Sequence, residues 1–337
     1  MKVYKFYLGL TAALLAIILS FTFAGCATSG VSQWHEQPLE LPAEPGFHST
    51  QKNAVYEQIE LVSLVMRLAG HDVFSDENTP YQRSLMPAFG DYANHPVVEY
   101  TRNLTSSRGI GHDAPMWLAI HLQKINGQFQ FYYGSNFWED DKRWTPELAK
   151  KFLELLNNFY VDSDFSTFFE ENIPYFETLS RLLYDELWDK INFDWFYQFG
   201  FSYDDIRIAI WPSGTGSGFG PTLLNRVNYA ILPQTDDYSH FLSFAIHEFA
   251  HSFANPIAEA WHEENEEFRS LCESSVDMHL MPWYGKSIII AGEYVTRAYT
   301  IQYLVENHNE NLLPLLFKEI NNGFRYIETV YAMVTDY

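Results

Sequence analysis

The sequence predicts an α+β fold that is mostly helical, with a small sheet beside one apolar helix. From residue 53 to residue 194, apolar residues recur at the three- and four-residue spacing of helices. Two short runs that contain β-branched and aromatic residues, 206–211 and 228–233, are typical of strands. Helical spacing resumes near residue 240 and continues towards the end of the chain. We therefore expect many helices around a sheet of few strands.

The ends of the helices follow from local signals. Gly70 is typical of a helix end, and Thr145 before Pro146 is typical of a helix start. Pro256 pushes the residue before it away from helical angles, so the apolar helix is predicted to end near Ala254. The predicted helices span residues 56–68, 81–92, 96–105, 114–125, 146–159, 165–190, 240–254, 287–307, 311–321 and 325–333.

The chain is predicted to contain four segments. Residues 1–25 combine a basic start with an apolar stretch of export-signal length, and residues 26–50 are rich in Ser, Gly, Pro and Glu, as a flexible tether is. Residues 51–194 form the predicted helical N-terminal part. Residues 195–337 contain the two strands and the apolar helix, and form the predicted core that carries the site.

The first segment ends in Phe23-Ala24-Gly25-Cys26, which resembles the lipobox of bacterial lipoproteins. The resemblance implies cleavage before Cys26 and acylation of its sulfur. The protein would then be held at a bacterial membrane, at the outer membrane or the cell surface, by lipid chains. The alternative is an ordinary secretory signal with a free Cys26.

Charge and cysteine content exclude several classes of protein. The chain has a net charge of −22, and loss of residues 1–25 would make it more negative, because they contain two lysines and no acidic residue. Such a surface repels nucleic acid and anionic lipid, so neither is an expected partner. After cleavage only Cys272 would accompany Cys26, and with Cys26 acylated no intramolecular disulfide is possible.

The most informative motif is His247-Glu248-Phe249-Ala250-His251, which has the pattern HExxH and lies within the apolar helix. Residues four apart share one face of a helix, so both imidazoles can bind a single metal ion. Glu248 follows the first histidine, where its carboxylate can take a proton from a water at the metal. We therefore predict a zinc site with one Zn²⁺ per chain and Glu248 as the general base.

A catalytic zinc site needs a third protein ligand. Glu293 lies within an apolar stretch, where a lone carboxylate is costly to bury unless it is paired or bound to metal. Arg297, one helical turn later, can pair with Glu293 or orient it. This argument favours Glu293 as the metal ligand and Arg297 as its support.

Other third ligands stay open at this point. Glu273 has a spacing from the motif near that of thermolysin-like enzymes, with Asp277 one turn later, and is the alternative metal ligand. A histidine, His262 or His279, is a further alternative. The metzincin pattern is excluded, because it requires a glycine and a histidine where Ala254 and Ile257 stand.

The run HEFAHSFANP, together with Gly-Glu-Tyr-Val-Thr-Arg-Ala at residues 292–298, resembles a family of uncharacterised bacterial lipoproteins. That family is similar to gluzincin-type zinc metallopeptidases, which combine HExxH with a downstream glutamate. The resemblance extends to residues 61–70 and 109–116, and it implies a zincin-like catalytic core with Glu293 as the third ligand. It implies no substrate, and residues 109–116 have no chemistry beyond a helix-start turn.

The expected function is hydrolysis of peptide bonds in a peptide or protein substrate by a membrane-anchored zinc metallopeptidase. Gluzincin-like architecture would place a substrate-binding edge strand at residues 228–232, and the glycines between residues 214 and 220 predict a mobile loop beside the cleft. The possible oxyanion donors are His279, Tyr284, Tyr294 and Arg297. The alternatives are a non-catalytic surface lipoprotein that binds glycan or peptide, and a pseudoenzyme that retains zinc.

Overall fold

The computed structural model describes residues 53–201, 205–214, 218–224, 227–234, 238–276 and 285–336. The predicted export signal, the tether and Cys26 lie outside the described residues, as do Asp277, His279 and Tyr284. None of the described helices is long and apolar enough to cross a membrane. All the described residues belong to one compact unit.

The strands form one mixed sheet and one hairpin. β1 spans Asn53–Val55, β2 Leu122–Ile125, β3 Gln128–Phe131, β4 Asp205–Trp211, β5 Thr222–Leu223 and β6 Val227–Pro233. In the mixed sheet the spatial order is β1, β4, β6, β5, and β2 pairs with β3 separately. β1 and β6 run parallel to β4, whereas β5 runs antiparallel to β6. β6 is buried along its whole length, so this sheet lies inside the core.

The helices account for most of the remaining described residues. They are α1 (Glu57–Leu68), α2 (Pro80–Phe89), α3 (Pro96–Arg108), α4 (Ala114–Ile120), α5 (Pro146–Asp162), α6 (Phe165–Glu171), α7 (Ile173–Glu186), α8 (Phe193–Tyr197), α9 (Tyr238–Glu264), α10 (Glu266–Val276), α11 (Ser287–His308), α12 (Leu312–Asn321) and α13 (Ile327–Asp336). The predicted α+β class, mostly helical with a small sheet, is confirmed. The helices α1 to α8 all lie between the neighbouring strands β1 and β4 in the chain.

The predicted helix over residues 114–125 is wrong in its second half. α4 ends at Ile120, and the chain then forms the β2–β3 hairpin. Its turn residues Asn126 and Gly127 both have positive φ angles, of 52° and 79°. Asn-Gly is the preferred pair for a two-residue hairpin turn of this kind, so the sequence contained the signal.

The predicted helix over residues 165–190 is divided into α6 and α7. The division falls just before Pro174, which lies in the first turn of α7. A proline lacks the N–H that an interior helical position donates, but a first turn does not use that N–H. Pro174 therefore begins a new helix instead of continuing the previous one.

The predicted end of the apolar helix at Ala254 is also wrong, because α9 continues through Pro256 to Glu264. Packing beyond the proline stabilises the extension. Ala258 is buried, and the Trp261 ring meets the Phe268 ring of α10 edge-on, with centroids 5.8 Å apart. These tertiary contacts outweigh the local preference of the proline.

Two hydrogen bonds join the helical region to the end of β4 and to the turn that follows it. The Gln82 side chain of α2 donates to the Gly214 carbonyl at 2.6 Å, and the Trp211 indole donates to the Ser63 hydroxyl of α1 at 2.6 Å. A Cβ on Gly214 would lie 2.2 Å from the Trp211 ring, so only glycine fits there. The two predicted parts, 51–194 and 195–337, thus share both the sheet and this turn.

A buried carboxyl lies at the same junction. Glu60 of α1 is 1% exposed, accepts a hydrogen bond from the Tyr81 hydroxyl at 2.9 Å, and lies 3.4 Å from the Ser213 N–H that donates to it. Burial raises the pKa of Glu60 to about 7, although these hydrogen bonds and the charge of Arg67 oppose the rise.

This carboxyl should make stability depend on pH. A raised pKa means that the folded protein holds the proton more tightly, so the stabilisation present below pH 4.5 is lost as the pH rises to about 7. We expect Glu60→Gln to change stability little at low pH and to increase it by about 3 kcal/mol, relative to wild type, above about pH 8. Urea unfolding over this pH range measures the difference. Exposed Glu259→Gln is the control, and a difference independent of pH would contradict the expectation.

Candidate metal centre

Two imidazoles meet on one face of α9. The Nε2 atoms of His247 and His251 lie 3.2 Å apart, and the planes of the two rings are nearly perpendicular. This is the arrangement that four-residue spacing on a helix predicts. Burial lowers the pKa of His247 well below its ordinary value, and the positive charges of His251 and Arg297 lower it further. His247 is therefore neutral, which is the form that binds a metal ion.

Glu293 of α11 completes the group. α9 and α11 pack along each other, and this packing brings Glu293 Oε2 to 3.7 Å from His247 Nε2 and Glu293 Oε1 to 3.7 Å from His251 Nε2. Among the described residues these three side chains form a group that could hold a metal ion. Tetrahedral zinc, with bonds of about 2.0–2.2 Å, requires ligand atoms roughly 3.3–3.6 Å apart. The separations of 3.2 and 3.7 Å lie within about 0.1 Å of this range, so the group could hold a metal ion.

The structure does not bring Glu273 or His262 to this group. Glu273 lies on α10 with its side chain exposed. His262 Nε2 lies 2.9 Å from the Ser287 hydroxyl, away from the two motif histidines. His279 lies outside the described residues. Within the described part of the chain, Glu293 is thus the carboxylate that the fold places beside both motif histidines.

A second set of contacts fixes the His251 ring. Its Nδ1 lies 3.1 Å from the Asn255 Oδ1 and 3.1 Å from the Thr296 hydroxyl. Donation of the Nδ1 proton to the Asn255 oxygen leaves the Nε2 lone pair directed at the metal position. A Cβ on Gly292 would lie 2.9 Å from that same Asn255 oxygen. Gly292, which has no Cβ, therefore leaves room for Asn255 to contact His251.

Arg297 holds Glu293 in place, as the sequence suggested. It donates to Glu293 Oε2 at 3.2 Å and to Glu319 Oε2 of α12 at 2.7 Å, and its guanidinium carbon lies 4.1 Å from the centre of the Phe324 ring. The sequence gave no signal for Glu319 or Phe324, because both contacts depend on how the last helices pack. Glu319 orients Arg297, and through it Glu293.

Glu248 lies beneath the glycine-rich segment, not in open solvent. It is 6% exposed. A Cβ on Gly218 would lie 3.1 Å from Glu248 Oε1, and a Cβ on Gly220 would lie 2.6 Å from the main-chain oxygen of Glu248. At these two positions the glycines allow the chain to pack tightly on α9. Residues 215–217 lie outside the described residues, and the mobility of the loop stays a prediction.

The environment of Glu248 favours its protonated form before a metal binds. Burial raises the pKa of Glu248 to about 8, and the negative charges of Glu293 and, more weakly, Asp113 add to the rise, whereas Arg297 opposes it. A carboxyl group whose pKa is moved towards neutrality is suited to accept and return protons.

The predicted substrate strand is in the wrong position. Residues 228–232 belong to β6, which pairs with β4 on one side and β5 on the other, so β6 has no free edge. The edge strands of the described sheet are β1 and β5. Just before β5, backbone groups of Phe219 and Pro221 form hydrogen bonds with β6. Because the backbone groups of adjacent residues in an extended chain point to opposite sides, those of Gly220 face away from β6.

Comparison with known proteins returns no match: no family model matches the chain, and neither does any curated protein or solved structure. The resemblance to gluzincins and to bacterial lipoproteins therefore stays a prediction.

Proposed function

We propose that the protein is a zinc-dependent metallopeptidase with a zincin-like core, anchored at a bacterial envelope by lipid on Cys26. The observation that carries the proposal is the group of His247, His251 and Glu293, with separations close to those that zinc requires, beside the buried Glu248. Two imidazoles and one carboxylate are a typical donor set for catalytic zinc, because they leave a position for water or substrate.

When bound, zinc supplies a Lewis acid that polarises a carbonyl group and lowers the pKa of water towards about 7. Glu248 takes a proton from the attacking water and delivers it to the leaving amine. Its burial beneath Gly218 and Gly220 keeps the carboxylate in one orientation and excludes competing water. Arg297 and Glu319 hold Glu293, and Asn255 holds His251.

The substrate main chain is proposed to lie along the segment from Gly218 to Leu223. An extended peptide can add to a sheet edge through backbone hydrogen bonds, and β5 is the edge strand nearest to Glu248. Gly220 has no side chain to obstruct this approach, and its backbone groups face away from β6. This supports peptide as the substrate class.

Two of the expected oxyanion donors are already engaged. The Tyr294 hydroxyl lies 3.1 Å from the Ser275 hydroxyl and accepts the Tyr326 N–H at 3.3 Å, so it is turned away from the ligands. Arg297 donates to two carboxylates. His279 and Tyr284 lie outside the described residues and stay the proposed donors.

The rival functions have less support. A glycan-binding protein would use exposed aromatic rings, yet Trp144, Trp195 and Trp211 are at most 4% exposed and pack in the core. A pseudoenzyme with structural zinc would have no use for a buried Glu248 beside the ligands. Four protein ligands normally close a structural site, and the group found among the described residues contains three.

Zinc content tests the proposal. We expect the purified wild-type protein to contain about one zinc per chain by elemental analysis. Glu293→Gln should lose the metal, because it removes a charged ligand, whereas Glu273→Gln, on the exposed face of α10, should retain it. Failure of the wild-type protein to bind zinc at micromolar supply would overturn the proposal. Loss of zinc only in the Glu273 variant would move the third ligand to α10.

A further inference from the structure

The loop before α4 is more elaborately fixed than a helix-start turn requires. Its residues Gly109 and His112 have positive φ angles, of 67° and 48°. A Cβ on Gly111 would lie 3.1 Å from the ring of His71, whose Nε2 is in turn 2.5 Å from the Thr105 hydroxyl. A left-handed conformation is uncommon for a residue with a side chain and usually persists where the surroundings impose it.

Asp113, the last residue of this loop, is held by Arg143. Arg143 donates from Nη1 and Nη2 to the two oxygens of Asp113 at 2.9 and 2.8 Å. The same guanidinium bonds both oxygens of Asp141, at 2.8 and 2.7 Å. One positive charge thus faces two negative charges, and the trio carries one excess negative charge. Asp141 has a side chain only 7% exposed, whereas that of Asp113 is 43% exposed, so the excess charge is presented at Asp113.

Packing links this carboxylate to the segment that covers Glu248. α4, which Asp113 precedes, packs against β5. The residues just before β5, Gly218 and Gly220, lie against Glu248. α4, which begins after Asp113, and Glu248 therefore pack against the same short segment, Gly218–Leu223. An exposed negative charge, held by Arg143, thus lies near the segment along which, under the proposed function, the substrate main chain would lie.

We propose that Asp113 is a specificity-determining residue that receives a positively charged group of the substrate, an ammonium or a guanidinium. Each carboxylate oxygen has a second lone pair beyond the one that Arg143 uses, so a cation can bind without breaking the existing pair. The net charge of −22 also favours the approach of a cationic peptide. This inference rests on the proposed peptidase function and names its substrate class.

Peptide hydrolysis by the zinc-loaded protein tests the inference. Peptides that differ only in having Lys, Leu or Glu at one position, each with a free or an acetylated N-terminus, are compared for wild type, Asp113→Asn and Asp141→Asn. Asp141→Asn is the matched control, because it removes the other partner of Arg143. We expect Asp113→Asn to lower kcat/KM for cationic peptides by about 10- to 100-fold, and for neutral peptides by much less. Asp141→Asn should preserve the preference.

The acetylated peptides identify the cation. If the preference disappears on acetylation, Asp113 receives the N-terminal ammonium, and if it survives, Asp113 receives a Lys or Arg side chain. An equal loss for all peptides in Asp113→Asn would overturn the inference, because a general effect on Glu248 or on the loop predicts that outcome. A wild-type protein that cleaves neutral and cationic peptides equally would also overturn it, while leaving the proposed function standing. Absence of any hydrolysis would overturn the proposed function and the inference with it.

Discussion

Glu248→Gln is expected to abolish peptide hydrolysis while the protein still folds and binds zinc. Glutamine has the shape of glutamate, so it fits beneath Gly218 and Gly220, but it cannot take a proton from water. Loss of a general base typically costs about 10²- to 10⁴-fold in rate. The fold should be retained, because the substitution replaces a carboxyl whose ionisation burial already disfavours.

The measurement is kcat/KM on the best peptide substrate, with zinc content and thermal unfolding determined on the same preparation. Glu259→Gln is the matched control, since Glu259 lies on the same helix with its side chain exposed. Activity of the Glu248 variant within a few-fold of wild type would remove Glu248 from the mechanism. Loss of activity together with loss of zinc would assign Glu248 to the metal site instead of to the proton transfer.

Asn255→Ala is expected to weaken zinc binding by about 10- to 100-fold, although the Asn255 side chain contacts Nδ1 of His251 and not Nε2, the atom that lies beside His247. Its side-chain oxygen lies 3.1 Å from Nδ1 of His251, and without it the ring can rotate or adopt the other tautomer. Gly292→Ala should weaken binding through the same contact, because its Cβ would lie 2.9 Å from the Asn255 oxygen.

Competition with a chromophoric zinc chelator measures both affinities. Ser252→Ala is the control: Ser252 is on the same helix, but its hydroxyl bonds only the Phe249 carbonyl, one turn earlier. Unchanged zinc affinity in both Asn255→Ala and Gly292→Ala would show that Thr296 alone orients His251, since its hydroxyl also lies 3.1 Å from Nδ1.

More of the metal group than of the rest of the site can be predicted from the sequence. Four-residue spacing on a helix is a local property, so it predicts that His247 and His251 share a face. Glu293 could be selected because a carboxylate in an apolar helix needs a partner, and burial is also readable locally. Glu319 and Asp113 could not be selected, because the contact of Glu319 depends on how α11 and α12 pack, and that of Asp113 depends on Arg143, which the fold brings to it from 30 residues later.

The errors in the fold have the same origin. Pro256 carries a local preference for a helix end, but packing of Trp261 against α10 overrides it. The position of β6 inside the sheet depends on β4 and β5 pairing on its two sides, which no local pattern encodes. The Asn126-Gly127 turn is the exception, since its signal was present in two adjacent residues.

Strand β1, only three residues long, also protects the protein from self-association. It covers one side of β4, pairing Asn53 with Ile208 and Val55 with Ile210. Without β1, the apolar strand β4 would present a row of unpaired backbone groups, a template for pairing with a second chain. α1 to α8 separate β1 from β4 in the chain, so the two strands can pair only after a long loop has closed. Closure of a loop of that length is slow. Until β1 docks, the newly formed sheet is open to aggregation along that edge.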